Sequence, residues 1–311
     1  MTRQFIFMGV TTSTSSIVPI FPRWRDVLGL GADVYLVGWD FPIGAPPRQY
    51  REAIRALKDD PQIVGGLVTT HKIDLYHAAH DLFDEVDRYA GLCGEVSCLA
   101  RREGRLLGWA KDPITAGKEL RRILGAGYFA RSGGDVLIFG AGGAGVAITL
   151  HLLSASEAGD RPARIVVVER NAERLASMRA LHERLAAPVR VEYVYNADSA
   201  ANDRLVAGLA PGSLVVNATG MGKDTPGSPL GDAAVFPEQG IAWELNYRGE
   251  LTFLHQSRRQ MAARALRVED GWWYFIYGWT AVIEEVFQRP ITDEEIVELE
   301  RQAAFARPRL A

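Results

Sequence analysis

Residues 136–153 read VLIFGAGGAGVAITLHLL: a four-residue apolar run, a knot of glycine and alanine, then a longer apolar run. That pattern leaves few folds open, because a strand must enter a tight turn of small residues and leave it as a helix. Gly140, Gly142 and Gly145 match G-x-G-x-x-G between strand VLIF and helix GVAITLHLL. In this motif the first glycine permits the turn. The second lets backbone approach a pyrophosphate, and the third lets helix pack on strand. The helix N-terminus adds unpaired N–H groups and a positive dipole end. The run Gly140, Ala141, Gly142, Gly143, Ala144, Gly145 is therefore expected to hold a dinucleotide; the bland alternative is a tight packing turn. Motifs of this kind often stand near the start of a chain, and here 135 residues come first.

Those residues have their own alternation. QFIFMGV (4–10), ADVYLVGWD (32–40) and IVGGLVTT (63–70) read as strands. A helix after TTSTSS, PPRQYREAIRALKDD (46–60) and a helix from about Ile73 separate and follow them, which argues for an α/β layer with parallel strands. RREG between Leu99 and Arg105 reads as a hairpin turn. GAGYFARSGG (125–134) is a Gly-rich link into the glycine knot. Beyond it come strands RIVVVE (164–169), VRVEYVY, SLVVNAT (213–219) and IAWELNY (241–247). Helices follow at about 251–264 and 271–288, with a charged one from Thr292. The fold class is α/β: an N-terminal domain, an inserted nucleotide-binding domain, and C-terminal helices.

Glu169 ends the second strand of the inserted unit. A carboxylate there can accept hydrogen bonds from ribose hydroxyls and repel a 2′-phosphate, which favours NAD. Arg170 and Arg174 follow and could instead pair with a 2′-phosphate, so NADP stays open. The gap from Gly140 to Glu169 is long, and SEAGDRPAR (156–164) reads as the extended loop that accounts for it. NATGMG (217–222) closes a strand in a small-residue loop. Asn217, Ala218, Thr219 and Met221 are placed by it near the nicotinamide side of such a site.

The formal charge of −3 on 311 residues gives no footprint for nucleic acid. No apolar run reaches the roughly 18 residues a membrane helix needs. The opening residues read as a first strand rather than a signal peptide, so a cytoplasmic protein is expected. Cys93 and Cys98, the two cysteines, read as small buried hydrophobes. Two thiols make no structural zinc site, and no metal is expected.

With these pieces in place, the chain resembles the shikimate/quinate dehydrogenase family over most of its length. The resemblance rests on the order and spacing of LVTTHK (67–72), GEVSCLARREGRLLGWAKD (94–112), GAGGAG (140–145), NATGMG and ELNYRGELTFL (244–254). It implies a substrate domain over 1–112, a Rossmann-type domain over 113–250, and helices over 251–311 that complete the first domain. It also implies a cleft between the domains for substrate and cofactor. Lys72 and Asp112 match the family's acid–base pair. Oxidising a secondary alcohol moves a hydride to nicotinamide and a proton off oxygen, which a lysine can relay while a carboxylate orients it. His71 is a competing base, and Lys111 is expected to face solvent.

For the substrate, the family's paired hydroxyls fall best on Thr14 and Ser16, with Ser13 and Ser15 as alternatives. Thr69 and Tyr247 match family positions. The family's asparagine and glutamine amides are replaced by Ser97 and Gly278, and Tyr277 is a candidate lining residue. Losing two amides implies a carbocyclic acid that differs from plain shikimate, larger or less hydroxylated. The expected activity is reversible NAD(P)-dependent oxidation of a ring hydroxyl of shikimate, quinate or a modified relative, by a monomer or homodimer. The alternatives are a methylene-tetrahydrofolate dehydrogenase-like enzyme and a non-catalytic nucleotide-binding or sensing protein.

Overall fold

The computed structural model describes residues 2–154, 160–185, 187–223 and 225–308. Chain contacts divide it into one unit made of Met1–Asp112 with Phe275–Arg307, and a second made chiefly of Pro113–Tyr274.

The first unit carries six strands: β1 (Arg3–Gly9), β2 (Val34–Asp40), β3 (Ile63–Val68), β4 (Glu85–Val86), β5 (Cys98–Arg102) and β6 (Arg105–Trp109). Their order is β2-β1-β3-β5-β6-β4. The parallel arrangement expected from the strand–helix alternation holds for β1, β2 and β3, whereas β5 runs antiparallel to both β3 and β6. The reason is local. Glu103 and Gly104 both take positive φ, +51° and +76°, which makes RREG a tight turn whose twist suits an antiparallel pair. Gly66 is required where it stands, since a Cβ there would meet the Ile6 carbonyl oxygen at 2.7 Å.

One face of this sheet packs Ile6, Met8, Val68 and Leu99 against Tyr50, Ile54 and Leu57 of the helix Pro47–Asp59. Phe5 and Phe7 point the other way, onto Trp279, with Phe5 also against Phe21 and Phe287. The chain thus returns to the first unit through its C-terminal helices. Trp24 Nε1 donates to Leu299 O at 2.8 Å, and Thr292 and Glu295 form a capping box at the head of Asp293–Ala303. The return begins at Phe275 rather than near residue 251. Phe253, in the helix Thr252–Arg258, belongs instead to the core of the second sheet.

The second unit adds β7 (Val136–Phe139), β8 (Arg164–Glu169), β9 (Arg190–Tyr195), β10 (Leu214–Asn217), β11 (Ile241–Glu244) and β12 (Arg267–Glu269). Every pairing is parallel, in the order β9-β8-β7-β10-β11-β12. Counted within the unit this is 3-2-1-4-5-6, the doubly wound dinucleotide-binding order, whose ligand site lies at the carboxyl ends of the strands where the order reverses. β7 and β10 flank that switch point, and the glycine knot and NATGMG follow them directly. VLIF, LVVN and IAWE are buried throughout, as strands covered on both faces must be. The loop expected over 156–164 lies partly outside the described residues. Among the described residues no helix is long and apolar enough to cross a membrane.

Candidate active site

Lys72 opens the helix Lys72–Ala79 just beyond the carboxyl end of β3, and Asp112 follows β6 after a short turn. The structure brings the two together: Lys72 Nζ donates to Asp112 Oδ2, and both side chains are mostly buried. Burial pulls the Lys72 pKa down. The charges of Asp112 and Glu95 and the hydrogen bond to Asp112 outweigh it, and the net shift is upward. The lysine is therefore a held ammonium at neutral pH, with its proton directed by one carboxylate.

The surrounding backbone fixes this pair. Val68 N donates to Ser97 O at 2.9 Å, and Ser97 N to Trp109 O at 2.9 Å. The Ser97 hydroxyl accepts from Lys111 N at 2.7 Å. Ser97 is 2% exposed, and its hydroxyl acts as a clasp on the Asp112 turn. Asp87 caps the helix Arg88–Cys93 by accepting from Ala90 N and also accepts from Ala110 N, at 2.8 and 3.1 Å. Thr69 N and Oγ1 both donate to Met8 O, which ties the Lys72 turn to β1.

His71 is not a competing base. It is 1% exposed, and its Nε2 lies 3.0 Å from Phe41 O, which can only accept. Nδ1 lies 2.8 Å from Tyr50 OH, so both ring nitrogens are engaged by neighbouring groups and the ring is a structural post. Lys111 is buried rather than solvent-facing, because its ammonium pairs with Glu285 on the helix Trp272–Phe287.

In the N-terminal loop Thr12, which sequence reasoning passed over, is locked to the end of β2. Its N–H and hydroxyl both donate to Asp40 Oδ1, at 2.8 and 2.6 Å. Ser13 and Thr14 are exposed, Ser15 and Ser16 are half-buried, and Thr14 Oγ1 donates to Thr11 O at 3.2 Å. Tyr277 is half-buried in its helix, and the position a Cβ would take on Gly278 has no atom within 4 Å. Cys98 is buried and Cys93 partly so.

In the second unit the glycine knot has the geometry its motif requires. Gly140 takes φ +106°, and a Cβ there would meet Ala218 O at 2.7 Å; one on Gly145 would meet Gly140 O at 2.1 Å. Gly142 meets nothing within 4 Å, which leaves its backbone open to a ligand, and the helix Gly143–Ser154 starts beside it. Ala141, Gly143 and Ala144 complete the turn. Glu169 ends β8 and meets this loop. Its Oε2 accepts from Ala141 N at 2.7 Å and its Oε1 from Arg170 N and Asn171 N at 2.8 and 2.9 Å. Both oxygens thus brace the loop. Arg170 and Arg174 are exposed, and neither guanidinium meets a carboxylate among the described residues.

NATGMG is held by a residue that was not singled out, Glu244 at the end of β11. Asn217 Nδ2 and Asn246 Nδ2 each donate to it at 2.7 Å, and Asn246 N at 2.9 Å. Asn217 Oδ1 in turn accepts from the Thr219 hydroxyl at 2.6 Å, and Thr219 Oγ1 from Met221 N at 3.1 Å. Asn217 and Thr219 thus shape the loop with their side chains. Tyr247 is half-buried with its ring 5.4 Å from Trp272.

No family model matches the chain. Individual relatives do. It is 31% identical over 219 residues to the shikimate dehydrogenase (NADP(+)) of Symbiobacterium thermophilum, covering 69% of this chain and 68% of that protein. It is 30% identical over 243 residues to an enzyme of the same name from Thermus thermophilus, covering 78% and 77%. The crystal structure of shikimate 5-dehydrogenase from Thermus thermophilus in complex with NADP(H) and shikimate superimposes with a TM-score of 0.69 at 25% identity, over 98% of this chain and 99% of that one. The chain belongs to the shikimate dehydrogenase family, oxidoreductases that act on a CH–OH group.

Proposed function

We propose that this chain catalyses the reversible NADP(H)-linked oxidation of a ring hydroxyl in a carbocyclic acid of the shikimate type, with Lys72 and Asp112 as its proton-handling pair. The observation that carries the reading is the buried Lys72–Asp112 hydrogen bond within the first unit. The relatives favour this reading over the folate-linked and sensing alternatives. The first unit is the substrate-binding part, and the second holds the cofactor. Gly140–Gly145 with the start of the helix Gly143–Ser154 receive the pyrophosphate, with Ala218 and Met221 beside them.

For the cofactor, Glu169 supports the loop and Arg170 and Arg174 offer unopposed positive charge. This arrangement suits a 2′-phosphate, so the reading moves from NAD to NADP. The nicotinamide supplies or accepts the hydride when bound. The chain's own work is the proton. In the reducing direction the Lys72 ammonium gives its proton to the carbonyl oxygen, while Asp112 keeps the ammonium aimed and compensates its charge. In the oxidising direction Lys72 must first be neutral, and its raised pKa favours that direction at alkaline pH. Thr14 and Ser16 are proposed for the substrate carboxylate, with Thr69, Tyr247 and Tyr277 near the ring. Gly278 supplies room where a side chain would stand, which suits a ring substituent larger than hydroxyl.

The test is a panel of shikimate, quinate, their aminated analogues and other cyclic alcohols with NADP+ and with NAD+, followed by nicotinamide absorbance. Turnover of one carbocyclic acid with NADP+ ahead of NAD+ supports the reading. Binding of NADP+ with no turnover of any ring acid overturns it.

A further inference from the structure

Lys111 precedes Asp112 in the turn after β6, and its side chain leaves that turn for another part of the first unit. Its ammonium donates to Glu285 Oε2 at 2.5 Å, on the helix Trp272–Phe287. Glu285 Oε1 accepts from Arg102 of β5 at 2.5 Å, and the same guanidinium donates to the Glu285 carbonyl oxygen. The two cations share one aromatic ring: Lys111 Nζ lies 5.5 Å and Arg102 Cζ 5.0 Å from the centroid of Trp109. All three charged side chains are mostly buried. Burial pushes the Glu285 carboxyl up, but the hydrogen bonds and charges of Lys111 and Arg102 outweigh it and hold it below its ordinary value.

A buried ion pair is weak evidence for stability, because apolar side chains of similar volume commonly do as well or better. What such a pair supplies is register, since moving either charge off its partner leaves it buried and uncompensated. Here the register joins two parts of the first unit that the proposed reaction must hold together. On one side, the Asp112 turn is fastened at Ala110 N to Asp87 and at Lys111 N to Ser97, at 3.1 and 2.7 Å. Asp87 and Ser97 both precede β5, so these two bonds tie the turn to the N-terminal part of the unit. On the other side, Gly278 stands about two turns before Glu285 on the same face of its helix, with Tyr277 next to it. The Lys111–Glu285 contact links the two sides.

We propose that Lys111 and Glu285 are positioning residues: their ion pair sets the Asp112 turn against the ring-binding stretch at 277–278, and so keeps Asp112 where it directs the Lys72 ammonium at the substrate. The inference rests on the dehydrogenase reading given above, and both residues act through Asp112.

The experiment uses the full chain with Lys111→Met, Lys111→Arg, Glu285→Gln and the double variant Lys111→Met/Glu285→Gln. The first readout is kcat and KM with the ring acid that the substrate panel identifies and NADP(H). Lys111→Met and Glu285→Gln should each lower kcat about tenfold to a hundredfold with KM within about threefold, because displacing a reacting group by about 1 Å costs rate more than affinity. The double variant should fall no further than the slower single one, as expected of two residues acting as one device. Lys111→Arg should regain part of the rate, since a guanidinium also pairs with a carboxylate.

The second readout needs no turnover. The ionisation of Lys72 is followed by carbon NMR of protein labelled at lysine Cε, with its resonance assigned by Lys72→Ala. The charges of Asp112 and Glu95 and the Asp112 hydrogen bond hold that ionisation up. A slackened turn gives up part of the Asp112 contact, so the Lys72 midpoint should fall by about half a pH unit or more in both Lys111→Met and Glu285→Gln. A mere field effect has opposite signs in the two, because one variant removes a cation and the other an anion, and it would raise the midpoint in Lys111→Met. A raised midpoint there overturns the inference. So do variants that unfold at lower temperature yet keep the unmutated kcat, KM and Lys72 midpoint, which would leave the pair a structural tie alone. If Glu285→Gln fails to fold, the two Lys111 variants carry the test. An unmutated protein that turns over no ring acid overturns the dehydrogenase reading; the Lys72 midpoint then decides the positioning role by itself, which separates the two failures.

Discussion

Replacing Glu244 with glutamine should alter how stability depends on pH more than it alters stability itself. Glu244 is fully buried, and burial raises its carboxyl from 4.5 to about 7 against the downward pull of its bonds from Asn246 and Asn217. In the unfolded chain it ionises at its ordinary value. Between those two values the folded protein keeps a proton that the unfolded chain has lost, so stability falls as pH rises through the window. At about 1.4 kcal/mol per pKa unit, this single carboxyl costs about 3 kcal/mol once pH is above its folded value. Glutamine removes that dependence. Its single carbonyl oxygen cannot serve every donor that Asn217 and Asn246 present. Its amide faces another amide, leaving a buried donor unmet at about 1–3 kcal/mol at every pH. Urea unfolding of both proteins at about pH 5.5 and about pH 8.5 measures the difference. Glu244→Gln should be the less stable at the lower pH, and the gap should close by about 2 kcal/mol, or reverse, at the higher one, since about 1 kcal/mol of the cost is already present at the lower pH. Parallel free-energy curves across that range would refute the reasoning, because the carboxyl would then ionise alike in both states.

Three further outcomes are expected. Lys72→Ala should lower kcat by roughly 10²–10⁴ while NADP+ binding, measured by fluorescence titration, stays near that of the unmutated protein. Arg170→Ala should weaken NADP+ binding roughly tenfold and leave NAD+ binding almost unchanged, in line with loss of one charge-assisted contact to a phosphate; an equal effect on both cofactors would remove the 2′-phosphate role. Gly278→Ala should raise stability by about 0.5–1 kcal/mol in thermal unfolding, because a helix-interior glycine gains a side chain where no atom stands in the way.

What the sequence made legible was mostly local. Gly140 and Gly145 could be read because close approach of backbone to backbone demands glycine, and the flanking apolar runs announce strand and helix. Lys72 and Asp112 had no such signal. About forty residues separate them, and they meet because β5 and β6 turn back beside β3; only the family resemblance paired them. The side chains of Ser97, Glu169 and Asn217 spend hydrogen bonds on backbone or on neighbouring side chains, which residue type alone does not tell. The antiparallel half of the first sheet was hidden for the same reason: strand periodicity is blind to strand direction. β12, three residues long, is too short to show a period at all. Glu244 was missed although it carried a hint, a carboxylate set within an apolar run.

Lys72 and Asp112 belong to the first unit, whereas the loop-bracing Glu169 and the two arginines after it belong to the second. On the proposed function, proton handling and cofactor choice are written in separate stretches of chain. A lineage can exchange residues 169–174 to suit whichever nicotinamide pool its cells keep reduced, and the lysine's ionisation need not be tuned afresh. Substrate preference can drift in the same way through the C-terminal helices, which makes this scaffold a ready source of new alcohol chemistries from modest substitutions.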